Sequence, residues 1–229
     1  MFNIVAEMNT ITENLQEVKS QLPENVVLVA VSKTKPNSSI EEAYKVGQRI
    51  FGENRIQELV AKSEELPKDI EWHMIGHLQR NKVKYIAPFV SLIHAVDKDK
   101  LLAEINKEAL KNERIIKVLL QFHIANEESK FGLNLTEAEE LLSSERFKSF
   151  KNIEVAGVMG MATFTSDQNQ VRNEFKTLKS IFDTLQSQFF QNQVSFKEVS
   201  MGMSGDYRHA IEEGSTMVRV GSSIFGSRI

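Results

Sequence analysis

The sequence predicts an α/β fold, a single-domain TIM-type (β/α)8 barrel with an extra helix in front. Three observations lead there. Short, nearly continuous apolar runs alternate with stretches of helical periodicity along all 229 residues. The runs are apolar on both faces, as parallel strands covered by helices must be. Eight such runs can be counted, the number that closes a TIM barrel, and the chain length suits one barrel. An open doubly wound sheet shares the periodicity; the strand count favours the barrel. No Gly/Ser-rich or Pro-rich linker divides the chain, so residues 1–229 read as one domain.

The elements follow in order. Ile4, Met8, Ile11, Leu15, Val18 and Leu22 form one face of a helix over 3–22, and Pro23 ends it because the residue before a proline leaves helical geometry. The first strand covers 26–32. Pro36, Asn37, Ser38 and Ser39 start a helix that buries Ile40, Ala43, Tyr44 and Val46 and stops at Gly47. A strand at 49–52 is followed by a helix at 53–64, and a strand at 71–75 by a short helix at 78–86. The strand at 90–96 leads to a helix at 97–111 with Leu101, Leu102, Ile105 and Ala109 inward. A long strand at 115–124, a polar loop and a helix at 136–144 come next. Then come a strand at 154–162 and a helix at 167–189 with a stripe of Val171, Phe175, Leu178, Phe182, Leu185 and Phe189. The strand at 196–201, helix at 206–213 and strand at 217–220 complete the set.

Composition narrows the function. Lys and Arg number 28 against 31 Asp and Glu, a net charge of −3 with no long run of one sign. That argues against a nucleic acid or an anionic membrane as the main partner. Cysteine is absent, so disulfides, thiolate metal sites and cysteine nucleophiles are excluded. The N-terminus is unlike a signal peptide and no apolar run has the length of a membrane span, so a cytoplasmic protein is expected.

A barrel of this type carries its active site at the C-terminal ends of its strands. Lys33 follows the first strand, where a lysine is either an ordinary surface charge or an amine held for a carbonyl. Gly52, Glu53, Asn54 and Arg55 follow the second strand, and His73, Gly76, His77 and Gln79 lie in or after the third. After the seventh comes Ser-Met-Gly-Met-Ser-Gly-Asp at 200–206, and after the eighth Gly221, Ser222 and Ser223. Glycines that let backbone approach and serine hydroxyls that donate suit an anion, and these two loops are the usual phosphate position in such barrels. Each cluster alone is also what an ordinary turn looks like; the two together favour phosphate.

Arg219 interrupts the apolar last strand between Val218 and Val220. Facing inward it is a buried cation; the alternative is an ion pair with a neighbouring carboxylate. An amine, a phosphate cradle and an inward arginine in one mouth suit a phosphorylated carbonyl compound. Pyridoxal phosphate (PLP), whose aldehyde forms a Schiff base with lysine, satisfies all three. His73 and His77 stand four apart, but no acidic ligand completes a metal pattern, so no metal is expected. His94, His123 and His209 carry no motif, and Met159, Met161, Met201 and Met203 read as packing. Glu127, Glu128 and Lys130 read as a solvated loop.

Five motifs then stand in order: AVSKTKP at 30–36, FGENRIQ at 51–57, WHMIGHLQRNK at 72–82, SMGMS at 200–204 and EGSTMVRVG at 213–221. Together they resemble the YggS/PROSC family of PLP homeostasis proteins over nearly the whole chain. The resemblance implies a fold-type III barrel like the N-terminal domain of alanine racemase, PLP as cofactor, and no established catalytic activity. It implies PLP covalent on Lys33 as a Schiff base and phosphate held by Ser204, Gly221 and Ser222 with backbone near Met201. Arg219 would face the pyridine nitrogen, and Asn54 and His77 would line the pocket. Apo-enzymes that use PLP would be the protein partners of a monomer. The chain departs from the family pattern at Phe-His-Ile-Ala-Asn, 122–126, and at Met-Ala-Thr-Phe, 161–164, which lacks a proline.

One chemical consequence of Arg219 needs no family. A guanidinium only donates and stays charged. A ring nitrogen that accepts from it must be unprotonated, and an unprotonated pyridine is a poor electron sink. The rival readings are a PLP-dependent amino-acid racemase, which needs an acid/base on each face of its substrate, and a Schiff-base aldolase. Tyr44 and Tyr85 fall in helices and Tyr207 has no matching motif, so a binding protein is the expected function.

Overall fold

A computed structural model describes residues 10–126 and 131–226. Eight parallel strands close into a barrel in sequential order, and the last pairs with the first through Val27–Met217 and Ala30–Val220. The strands are β1 (Val27–Val31), β2 (Ile50–Glu53), β3 (Glu71–Met74), β4 (Leu92–Val96), β5 (Ile116–Gln121), β6 (Ile153–Met159), β7 (Glu198–Met203) and β8 (Met217–Val220). Ahead of the barrel lies α1 (Ile11–Ser20), started by a capping box in which Thr10 and Glu13 satisfy each other's backbone N–H. Residues 3–9 of the expected longer helix lie outside the described residues.

Between the strands run α2 (Asn37–Lys45), α3 (Ile56–Glu65), a 3-10 turn (Arg80–Lys82) leading into α4 (Val83–Ile86), and α5 (Asp99–Lys111). Then come α6 (Leu135–Ser143), α7 (Glu145–Lys148), α8 (Gln168–Phe189), α9 (Tyr207–Glu212) and α10 (Ser222–Phe225). Strand alternation divides the buried residues into two sets. Val29, Leu92, Leu119, Ala156 and Met217 form a small cluster inside the barrel. Alternate residues such as Leu28, Ala30, Phe51, Val118 and Val199 face outward and pack with the helices in the main core. The long stripe on α8 is part of that core, with Phe182 stacked 4.9 Å from Phe196.

Several boundaries differ from the sequence reading, the strand expected over 154–162 ending at Met159 among them, and the short helices α7 and α10 were not expected; three of the differences have a local physical reason. Glu53 belongs to β2 rather than to the following helix, because its fully buried carboxylate is tied to Ser32 and Lys62. The strand expected over 115–124 ends at Gln121; Phe122 still donates its N–H to the Met159 carbonyl at 2.8 Å but forms an isolated bridge with Leu133, and the chain turns away there. The strand expected to stop at 201 continues to Met203 through a register shift. There Gly202 adopts φ +94°, and a Cβ would lie 2.6 Å from that of Ala210.

Candidate cofactor-binding site

A cleft of about 530 Å³ opens at the C-terminal ends of the strands. Lys33 and Asn54 line it from β1 and β2, Ser204 from the loop after β7, and Arg219, Gly221 and Ser222 from β8 and beyond. Six of the eight residues singled out in the sequence thus meet in one place. The other two do not line it. His77 is exposed, with its ring 5.8 Å from that of Phe131, and Met201 is buried in the core outside the barrel. Met161, Phe164 and Met203 add an apolar wall. Residues 127–130, including Lys130, lie outside the described residues.

Lys33 sits on a short loop held from behind by a charged network. Ser32 donates its backbone N–H to Gly52 O at 3.1 Å and its hydroxyl to Glu53 Oε1 at 2.6 Å. Lys62, reaching down from α3, donates to the Ser32 carbonyl at 2.9 Å and to Glu53 Oε1 at 2.8 Å. Glu53 is fully buried, and burial pushes its carboxyl above the usual range while the bonds from Lys62 and Ser32 pull it down. On the other side of Lys33, Thr34 N–H donates to Glu58 Oε2 at 2.7 Å. Thr34 has φ +64°, a left-handed conformation unusual for a β-branched residue. Such strain persists only where the surroundings impose it. Here the clamps on Ser32 and Thr34 impose it, and Lys33 lies between them.

Arg219 is held by neutral groups. It is 4% exposed, and its guanidinium donates to Ser200 Oγ at 2.5 Å and to the Gly160 carbonyl at 3.0 Å. Among the described residues no carboxylate lies within ion-pair distance. Burial lowers its pKa to about 10, with the charge of Asp206 opposing, so it remains a cation at neutral pH. Behind Ser200, His94 Nδ1 lies 3.1 Å from Ser200 Oγ, and His94 Nε2 lies 3.1 Å from His73 Nδ1. Burial lowers His73 to about 3 and holds His94 well below the usual imidazole range.

The third component is the Ser/Gly loops. Ser204 Oγ accepts the Gly221 N–H at 3.1 Å and the Ser223 N–H at 3.4 Å, joining the loops after β7 and β8. Asp206 Oδ1 accepts the Met203 N–H at 2.5 Å and shapes the first of these loops. A side chain on Gly221 would stand 3.1 Å from the Val31 carbonyl, so the backbone there runs close against β1.

These groups fit PLP. The amine suits its aldehyde, the serine–glycine loops its phosphate, and a buried donor-only cation its ring nitrogen. The sequence reading placed Glu53 and Ser200 at strand ends without giving either a role, and passed over Lys62 and the bond between His73 and His94. Strand alternation held the clue for the inner group, because His94, Ser200 and Arg219 occupy inward positions on their strands.

Residues 7–229 match the family model of the alanine racemase N-terminal domain, which sets the class: a PLP-type barrel of that family. At 17% identity an alanine racemase from E. faecalis shares the fold, with a TM-score of 0.72; the match covers 95% of this chain and 58% of that one. The pyridoxal phosphate homeostasis protein of Vibrio alginolyticus is 39% identical, over 96% of this chain and 99% of its own. The human protein of that description is 38% identical over 96% and 85%. PipY of Synechococcus elongatus PCC7942, solved with PLP bound, is 35% identical with a TM-score of 0.86, covering 95% of this chain and all of PipY. The chain belongs to the family of pyridoxal phosphate homeostasis proteins.

Proposed function

We propose that this chain binds PLP in intracellular PLP homeostasis, holding it as a Schiff base on Lys33 without catalytic turnover. The observation that carries the reading is the convergence of Lys33, the Ser204–Gly221–Ser222 loops and Arg219 on one cleft. The relatives named for PLP homeostasis and PLP-bound PipY support it. Bound PLP would supply an electrophilic aldehyde and an aromatic ring. Lys33 offers the amine, Ser204, Gly221 and Ser222 hold the phosphate, and Arg219 donates to the ring nitrogen. An arginine there keeps that nitrogen unprotonated and the ring a weak electron sink, which favours holding the cofactor over carbanion chemistry.

The racemase alternative needs a second acid/base facing the substrate. None of the three tyrosines lines the cleft. Tyr44 donates to Asp69 at 2.7 Å, Tyr85 is on the exposed face of α4, and Tyr207 donates to Gln21 at 2.5 Å. A monomeric cytoplasmic carrier that serves apo-enzymes is the form this function takes. Among the described residues no helix is long and apolar enough to cross a membrane.

Titration of the purified protein with PLP tests the binding. A visible Schiff-base band should grow in, be bleached by borohydride and be lost in Lys33→Ala; a protein that gains no band contradicts the reading. Incubation of the holo-protein with L-alanine in heavy water tests the absence of turnover. The α-proton should persist, whereas rapid exchange with loss of optical activity would make the protein an enzyme.

A further inference from the structure

Inside the barrel, four polar residues from four different strands form one continuous chain: Arg219 of β8, Ser200 of β7, His94 of β4 and His73 of β3. Ser200 and His94 are fully buried, and His73 and Arg219 are each 4% exposed. The interior of such a barrel is ordinarily filled by branched apolar side chains. Buried polar groups there are costly unless every one is hydrogen-bonded. A polar chain in this place therefore calls for a reason beyond filling space.

Arg219 can only donate, and one proton order extends its bond through the whole chain. Ser200 Oγ accepts from the guanidinium, and in this order the serine hydroxyl turns its own proton toward His94 Nδ1. That nitrogen accepts only if the His94 proton sits on Nε2. His94 Nε2–H in turn donates to His73 Nδ1, which leaves the His73 proton on its Nε2. In this order both imidazoles are neutral, the state that burial favours for each of them. A protonated His94 would put a donor at each end and set a second cation beside Arg219.

We propose that Ser200, His94 and His73 are positioning residues that lock the orientation of Arg219. In this way they keep the ring nitrogen of bound PLP an unprotonated acceptor. The proposal rests on the PLP-binding reading and deepens it. Two guanidinium N–H donors are fixed on Ser200 and Gly160, and the remaining donors serve the cleft that Arg219 lines. A neutral relay supplies this fixation with no carboxylate. A carboxylate in that position would partly cancel the charge that discourages protonation of the ring.

The test combines two measurements. In the PLP-free protein, long-range proton–nitrogen NMR reads the histidine tautomers directly. Both His94 and His73 should carry their proton on Nε2 alone and show no titration through the range of a free imidazole. A His94 protonated on Nδ1, or on both nitrogens, would overturn the relay. In the holo-protein, nitrogen-labelled PLP reports the protonation state of the ring. Ser200→Ala should move that signal and weaken PLP binding about tenfold or more, the effect of losing a bond to a charged group. Ser200→Thr, which retains the hydroxyl, should restore both. An unchanged ring signal and affinity in a folded Ser200→Ala would overturn the positioning role while leaving PLP binding intact. A wild-type protein with the stated tautomers that takes up no PLP would instead overturn the binding reading, and the relay's role would fall with it.

Discussion

The loop of Lys33 and the guanidinium of Arg219 face the same cleft but are supported in opposite ways. Behind Lys33 the support is ionic and lies between barrel and helices, where Lys62 spans Glu53 and the Ser32 carbonyl. Behind Arg219 it is neutral and lies inside the barrel, where Ser200 leads to His94 and His73. The difference follows from the two side chains. A lysine on a flexible stem needs its backbone anchored, and a buried ion pair grips two elements at once. A buried arginine already carries the charge, so it needs acceptors without further charge.

The largest expected effect comes from breaking the ionic half. Lys62→Met leaves the Glu53 carboxylate buried without its cation, a loss of about 3–5 kcal/mol by analogy with other broken buried pairs. In a chain of this size that lowers the melting temperature by roughly 6–20 °C. Burial already raises the Glu53 carboxyl, and losing Lys62 raises it further, so the folded variant holds the proton more tightly than the unfolded chain. The deficit should therefore shrink as pH falls, visible as a smaller gap in denaturant midpoint at about pH 5 than at about pH 8. Glu53→Met together with Lys62→Met should recover most of the loss, because apolar replacement of a whole buried pair is often neutral.

The neutral half should show the opposite pH sign. His73 and His94 are depressed from 6.5, so below that pH the unfolded chain takes up protons that the folded protein refuses. Their contribution to stability is complete above about 6.5 and is lost as pH falls, toward 3 for His73 and in the same direction for His94. His94→Leu removes one of these protons and should flatten the acid limb of stability by up to about 1.4 kcal/mol per pH unit. Urea unfolding at a series of pH values checks it; an acid limb as steep as the wild type's would mean His94 is not held neutral.

Smaller effects sharpen the comparison at the cleft itself. A Cβ on Gly76 would stand 2.4 Å from the Asn54 carbonyl oxygen and 2.8 Å from its Cα, and backbone cannot yield cheaply. Gly76→Ala should cost about 1–3 kcal/mol and displace Asn54 in the cleft wall, measured as a lower melting temperature with weaker PLP uptake. Thr34→Gly has the least effect on stability. Relief of the left-handed strain, about 1 kcal/mol, is offset by the freer unfolded chain, so the melting temperature should rise slightly or stay. Looser placement of Lys33 should nonetheless slow Schiff-base formation, as stopped-flow absorbance would show.

Much of this was legible in the sequence, and the remainder was hidden for identifiable reasons. Period and punctuation set out eight strands because each apolar run is bounded by Gly, Pro or polar turns. The cleft residues stood out because Lys33, Arg219 and the 200–206 and 221–223 loops are polar or glycine-rich where strands end. Lys62 did not, since a lysine four residues after Glu58 on a helix reads as a solvated pair, and only the tertiary structure turns it toward Ser32. The partnership of His73 and His94 was hidden because alternation tells which way a side chain faces but not the register of neighbouring strands, which here sets His73 opposite Leu92 and so within reach of His94. His77, by contrast, shared a motif with His73 and ended up exposed beside Phe131, since it lies past the strand where alternation no longer governs direction.

Locating the cofactor on the chain tests the central claim most directly. The protein is saturated with PLP, reduced with borohydride, digested, and the pyridoxyl-bearing peptide sequenced by mass spectrometry. The account predicts one dominant adduct on Lys33. Recovery of the label on another lysine, with Lys33 unmodified, would contradict it.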